Sequence, residues 1–370
     1  MIITEKIEKN IYLRILVKYS LKIILSLNKY LNNLFTSSTS EEILVISLHK
    51  IGDTLFTVPS VKYLHKKFDK NLFVLCFEDN AVLYRTFISK DINLITIKAD
   101  DFYFSSRIIK PKAIKTIRLM KFKYVFDFNG AINSVSVLFF IKSKWKYGFT
   151  DFYLNNAYTN YIYKKEQAPL TKVYFDVINL YDKNAEIADY TLFPKKKVKK
   201  IIIAINPYSG WAAKEWPMKN FIELNKYLNT KYDVVFMLDK QRIDENIIKM
   251  METNKCAFVI SSSLTELIDQ LSDITFYIGN DSGPTHIASY LGIATFTIYG
   301  PTNPSFHQPA GNYHSYIQKI ISCSAQKEEK MCKKYGGRFG CNYFECIDRL
   351  SIDEVIINVE KALKMINNLN

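Results

Sequence analysis

The 370-residue sequence has no run of about 20 apolar residues, so no bilayer-spanning segment is expected. It also lacks a basic amino-terminal stretch leading to an apolar core and a small-residue cleavage site; Glu5 and Glu8 sit where a secretion signal would be basic, and secretion is not expected. Zinc-finger spacing, a helix-turn-helix pattern and the aromatic signature of RNA-recognition domains are missing, which leaves nucleic acid a minor alternative as partner. No C-x-x-C pair occurs. Cys323, Cys332, Cys341 and Cys346 cluster near the carboxyl end, while Cys76 and Cys256 fall in apparent core strands. Without paired spacing the expectation is reduced, unligated thiols; zinc as a cofactor held by the four clustered cysteines is the weaker alternative, and two disulfides are weaker still.

What is present fits a folded globular protein: 48% of residues are hydrophobic and 23% charged. The length exceeds what one core usually organises, so two domains of roughly 150 to 200 residues are expected. Fifty Lys and Arg against thirty-six Asp and Glu leave a net charge of +14, which favours anionic partners such as phosphorylated small molecules or an acidic membrane face. Near the amino end, Arg14, Lys18, Lys22, Ser26, Lys29 and Asn33 recur at three- or four-residue steps along one helical stripe, with Ile11, Leu13, Ile15, Leu16, Ile23, Ile24, Leu27, Leu31 and Leu34 on the other faces. Such a helix either lies on a membrane surface or packs on a domain.

From residue 43 onward, short β-branched apolar runs alternate with helical patterns. Strands are expected at 43–48, 72–77, 92–97 and 124–128, with helices at 54–68 and about 131–141. Pro194 and the basic run Lys195, Lys196, Lys197, Lys199 and Lys200 interrupt this order. It then restarts, with strands at 201–205, 234–238, 257–260, 275–278 and 294–298 and helices at 217–229, 244–252 and 284–291; Ser263 and Glu266 have the spacing of a capping box. Parallel neighbours require crossover connections, so the pattern predicts two α/β units with parallel sheets. The expected division is an amphipathic extension over 1–40, a first domain over 41–194, a second over 195–350, and a carboxyl-terminal helix over 351–370 that packs back on the domains.

Open parallel sheets bind ligands beyond the carboxyl ends of their strands, so the loops there are the candidate sites. The first is His49-Lys50-Ile51-Gly52-Asp53-Thr54. Gly52 would permit a tight turn, and Asp53 would either face the ligand or simply cap the helix. The second runs from Asn206 to Pro217, where Ser209 and Gly210 offer a hydroxyl and amides and Lys214 a charge for a diphosphate. The third, Gly279-Asn280-Asp281-Ser282-Gly283-Pro284-Thr285-His286, opens a helix whose free amides suit an anion. Asp281 is better suited to accept hydrogen bonds from sugar hydroxyls, and His286 is either a ligand contact or a histidine satisfied within its helix. Tyr299-Gly300-Pro301-Thr302 would complete the rim.

Residues 43–59, 206–217 and 279–301, in this order, resemble the motifs of glycosyltransferase family 9, the heptosyltransferases; residues 124–130 and 145–149 resemble the family's acceptor-side segment. The resemblance implies a GT-B fold, two Rossmann-like domains facing across a cleft, in which the first holds the acceptor and the second ADP-heptose. It implies an inverting transfer to a lipopolysaccharide inner-core acceptor with Asp53 as general base. Donor contacts would be Ser209, Gly210, Lys214, Asp281, Ser282, Gly283 and His286; acceptor contacts would be Gly52, Asn129 and Gly130; Asp239 and Asp244 are candidates for the ribose; no metal is required. The expected partners are a nucleotide sugar, a lipid-linked phosphorylated saccharide and the inner face of the cytoplasmic membrane. Two departures stand out: the amino-terminal extension, and Asn206-Pro207-Tyr208 in place of a His-Pro-Gly-like opening, which puts the donor in question. The alternatives are a GT-B enzyme using another nucleotide sugar, and a non-catalytic nucleotide- or nucleic-acid-binding protein.

Overall fold

The computed structural model describes residues 11–35, 40–103, 107–163, 169–187, 200–332, 341 and 344–367. The stretch carrying Pro194 and the basic run up to Lys199 lies outside them, as do residues 1–10 and 36–39. The chain divides into two compact units, one of residues 1–165 and 171–188, the other of residues 166–170 and 189–370.

Among the described residues the main sheet of the first unit holds six strands: β1 (Ile43–Ser47), β2 (Leu72–Phe77), β3 (Asn93–Ile97), β4 (Tyr124–Asp127), β5 (Trp145–Thr150) and β6 (Asn160–Tyr163); a separate antiparallel pair joins Phe102–Tyr103 to Ile108–Ile109. All neighbours in the main sheet are parallel, in the order β3-β2-β1-β4-β5-β6. The second unit repeats the plan with β7 (Ile202–Asn206), β8 (Asp233–Asp239), β9 (Phe258–Ser261), β10 (Phe276–Asn280), β11 (Ala294–Tyr299) and β12 (His314–Gln318), in the order β9-β8-β7-β10-β11-β12. In both, the chain builds outward from its first strand in one direction, returns, and builds outward in the other. Helices that follow the two central strands therefore leave on opposite faces, and a crevice opens at the carboxyl ends of β1 and β4, and again of β7 and β10. The reason these strands are central is visible in their composition. Ile43, Leu44, Val45 and Ile46 are wholly inaccessible to solvent, as are Ile203, Ala204 and Ile205, and each large aliphatic so placed is worth roughly 1.5–3 kcal/mol. An ionised residue at Ile46 or Ile205 would break its sheet.

Three strands of the two main sheets, β5, β6 and β12, are not among those expected from sequence, nor is the short pair Phe102–Tyr103 and Ile108–Ile109. Trp145-Lys146-Tyr147-Gly148-Phe149 and its neighbours mix charge, glycine and aromatics, and show neither the alternation nor the aliphatic run that marks a strand.

Helix α1 (Ile11–Phe35) belongs to the first unit, where Leu25 enters the core beside Leu44, Ile46 and Val125. Among the described residues no helix is long and apolar enough to cross a membrane. Helix α2 (Ile51–Phe68) follows β1, and helix α3 (Met218–Leu228) follows β7. Helix α4 (Gly283–Tyr290) follows β10, and the last helix, α5 (Ile352–Asn367), puts Val355, Val359, Ala362 and Leu363 into the second unit's core beside Phe221, Leu224 and Leu228.

Candidate active site

In the first unit the end of β1 is fixed from two sides. The Asn129 side-chain amide accepts from the Leu48 N–H at 2.7 Å and donates to the Leu48 carbonyl at 2.8 Å. Asn80 donates to the His49 carbonyl at 2.8 Å and to Thr54 Oγ1 at 3.0 Å. Asn129 was a candidate acceptor contact, but its amide is committed to the backbone of β1, so its part is to hold the loop that carries Asp53. Gly130 has φ +61°, and a Cβ there would lie 2.0 Å from the Phe149 carbonyl oxygen; the residue must be glycine for the loop after β4 to pass beside β5. Beneath them Asp127 is wholly buried. Burial pushes its pKa up, against hydrogen bonds from Tyr158, Ser134 and the Asn129 and Gly130 amides; the Tyr158 hydroxyl donates at 2.6 Å and Ser134 at 2.7 Å.

Asp53 is not the cap of α2. The N-cap position is Lys50, and Asp53 lies in the first turn, where a carboxylate complements the helix dipole. Gly52 sits in the same turn with helical geometry, so the tight turn expected of it does not occur. The Tyr174 hydroxyl donates to Asp53 Oδ1 at 3.4 Å, and the Tyr174 ring packs edge-on against His49, centroids 5.2 Å apart. Burial, then the Asp53 charge, hold the Tyr174 phenol well above its ordinary range, so it stays a proton donor to the carboxylate. Tyr174 lies in the helix Leu170–Asn179, more than a hundred residues from Asp53, and no local signal in the sequence links the two.

The second unit uses the same device. Asn280, at the end of β10, accepts from the Trp216 N–H at 3.1 Å and donates to the Pro207 carbonyl at 2.7 Å, closing both ends of the loop that follows β7. That loop brings Lys214 to Asp281. The ammonium donates to Asp281 Oδ2 at 2.6 Å, and Thr302 donates to the same oxygen at 2.6 Å. Burial opposes ionisation of Asp281, but Lys214, His307 and His286 nearby, together with the Lys214 hydrogen bond, hold its carboxyl well below the usual carboxylate range. The pair is therefore a buried ion pair at the amino end of α4. Ser282 is the N-cap of α4 and makes no capping hydrogen bond; its hydroxyl faces Thr285 Oγ1 at 3.3 Å. Gly283 is the first residue of α4, and His286 is buried in it. Gly300 passes so close to the second loop that a Cβ would sit 2.8 Å from the Ala213 carbonyl oxygen.

Several donor candidates are engaged otherwise than expected. The Ser209 amide donates to Glu215 Oε1 at 2.7 Å, and its hydroxyl donates to the Trp211 carbonyl at 2.8 Å while accepting from the Trp211 N–H at 3.1 Å, so its groups stabilise the loop itself. Gly210 is exposed, and a Cβ would meet nothing within 4 Å. Asp244 is a helix cap: its carboxylate accepts from the Ile247 N–H at 2.9 Å, which accounts for the residue without a ribose. Asp239 ends β8 and accepts from the Gln241 amide at 2.9 Å. Arg242, which sequence reasoning missed, donates to the Ser209 carbonyl at 2.8 Å, pairs with Glu215 and lies 4.6 Å from the centre of the Tyr208 ring.

No disulfide joins any of the six cysteines. Burial, and then Cys332, Cys323 and Cys341 nearby, push the Cys346 thiol up to about 12. Among the described residues no group of three or more His, Cys, Asp or Glu is arranged to hold a metal ion.

Two doubly wound units, each with a fixed loop at its central crevice, define the GT-B class of glycosyltransferase fold, and the solved structures similar to this chain agree. A family 9 glycosyltransferase from Veillonella parvula superposes with a TM-score of 0.70 at 18% identity, covering 89% of this chain and 99% of that one. The ADP-heptose lipopolysaccharide heptosyltransferase II of E. coli superposes with a TM-score of 0.67 at 16% identity, covering 88% and 99%. Among characterised sequences, lipooligosaccharide heptosyltransferase 2 of Campylobacter jejuni is 22% identical over 331 residues, 85% of this chain and 96% of the relative. Residues 111–336 match the model of glycosyltransferase family 9 (heptosyltransferase), and the chain belongs to that family.

Proposed function

We propose that this glycosyltransferase moves heptose from ADP-heptose to a lipid-linked saccharide of the lipopolysaccharide or lipooligosaccharide core, with inversion at the anomeric carbon. The observation that carries the donor half is the Lys214–Asp281 pair at the start of α4. A diphosphate placed there meets an ammonium and the first amides of a helix whose cap side chain leaves them to a ligand, an arrangement that stabilises the charge gained by departing ADP without a metal. Asp281 orients Lys214 and offers its carboxylate to the sugar. The acceptor half rests on Asp53. Its carboxylate takes the proton of an acceptor hydroxyl as that oxygen attacks the anomeric carbon, and the bond from that carbon to the ADP oxygen breaks. Tyr174 keeps the carboxylate oriented. The names of the Campylobacter and E. coli relatives support heptose, ADP and a lipid-linked acceptor, and the +14 charge suits a phosphorylated acceptor at the inner membrane surface.

A second reading keeps the fold and changes the nucleotide sugar. It is favoured by Tyr208 and its Arg242 partner, which stand where the sequence departs from the family's opening. Product formation with ADP-heptose against UDP- and GDP-sugars separates the two: turnover with ADP-heptose is expected, and turnover with only a non-heptose donor would overturn the first.

A further inference from the structure

Helix α1 is mounted with its polarity reversed. Its lysine stripe faces the first unit: Lys18 lies 4.4 Å from the centre of the Tyr153 ring, Lys22 lies 3.4 Å from that of Phe152, and Lys29 donates to the Tyr158 carbonyl at 2.7 Å. Asn28 donates to the Phe139 carbonyl at 3.1 Å, Asn156 donates to Ser26 Oγ at 2.6 Å, and Leu25 is buried between them. The opposite face is apolar and open. At 100° per residue Tyr19, Tyr30, Ile23 and Leu27 fall in one narrow arc with Ile24 at its edge. Ile23, Leu27 and Tyr30 are 62%, 60% and 64% exposed.

A helix that only braced the domain would turn these side chains inward and leave the lysines in water. Here the charges are spent on the dock; Tyr19 meets the Tyr153 ring edge-on, centroids 5.7 Å apart, while staying half exposed, and Ile23, Ile24, Leu27 and Tyr30 remain for something outside.

We propose that the outward face of α1, formed by Tyr19, Ile23, Ile24, Leu27 and Tyr30, seats the protein on the surface of a lipid bilayer. Aliphatic side chains flanked at both ends by tyrosines match the boundary between acyl chains and headgroups, where the ring is apolar and its hydroxyl stays wet. The net charge of +14 complements an anionic headgroup layer. The patch also adjoins the acceptor side of its own unit. Ser26 and Lys22 touch Asn156 and Phe152 in the loop leaving β5, at the same end of the sheet as Asp53. This placement rests on the reading that the acceptor is lipid-linked, since it brings that end of the unit to where such an acceptor lies.

The test is sedimentation of the full chain with phosphatidylethanolamine/phosphatidylglycerol vesicles, comparing the wild type with an Ile23→Asp/Leu27→Asp variant whose thermal unfolding matches it. Two aliphatic anchors replaced by carboxylates are expected to weaken vesicle binding on the order of a hundredfold. A wild type that stays in the supernatant, or a variant that binds as the wild type does, would overturn the proposal. So would a wild-type dimer that the variant dissociates in sedimentation velocity, because a second copy would then cover the face. Transfer to a delipidated, water-soluble acceptor is measured alongside. It is expected to be unchanged in the variant, so that failure of vesicle binding is distinguishable from failure of the transferase reading.

Discussion

Replacing Asp281 by Asn should strand a buried cation, and the cost follows from the surroundings. Lys214 is 14% exposed and Asp281 4% exposed, with 2.6 Å between charged atoms, so water replaces little of what either partner loses. Breaking such a pair by removing one member costs about 3–5 kcal/mol, mostly as the penalty of the charge left behind. The hydrogen bond from Thr302 to the same oxygen adds to the loss, but less than additively, since both bonds share one acceptor. Asp281→Asn and Lys214→Met should therefore each destabilise the second unit by several kcal/mol, whereas the double variant should recover about 2 kcal/mol or more relative to their sum. Urea unfolding of the four proteins, followed by fluorescence from Trp211 and Trp216 in that loop, closes the cycle. A coupling energy below about 0.5 kcal/mol would mean the pair is solvent-screened, and would refute the buried ion pair as the organiser of the loop that follows β7.

Gly130→Ala should cost about 3 kcal/mol or more in urea unfolding, because the residue would keep a left-handed φ and collide with the Phe149 carbonyl. Gly210→Ala, which points into open space, should stay within about 0.5 kcal/mol, and equal effects at both sites would contradict the geometry. Burial lowers the pKa of His307 and His314 from 6.5, so near pH 6 the unfolded chain binds more protons than the folded one. Stability should thus fall as pH drops through about 6.5, and a His307→Asn/His314→Asn variant should show a flatter dependence in thermal melts.

How far the sequence led is clearest loop by loop. Strands β1 and β7 could be placed because runs such as Ile43-Leu44-Val45-Ile46 leave no polar face, and buried parallel strands need none. The ligand-ready loops then followed from topology. The division of labour within them was hidden, because it depends on partners distant in the chain: Asn129 bonds Leu48 across 81 residues, and Asn280 bonds Pro207 across 73. Asp244, a ribose candidate from its place after a strand, caps its helix through the Ile247 amide, a partner that the residue type alone does not reveal. The reversed mounting of α1 was equally out of reach. Periodicity finds two faces on a helix but does not say which one the protein keeps.

The most direct test of the transferase mechanism is single-turnover transfer from ADP-heptose by Asp53→Asn, with ADP affinity measured calorimetrically on the same sample. A general base at this position predicts a transfer rate lower by about a hundred- to ten-thousand-fold with ADP binding unchanged. A rate within about tenfold of wild type, in a protein that still binds ADP, would contradict it.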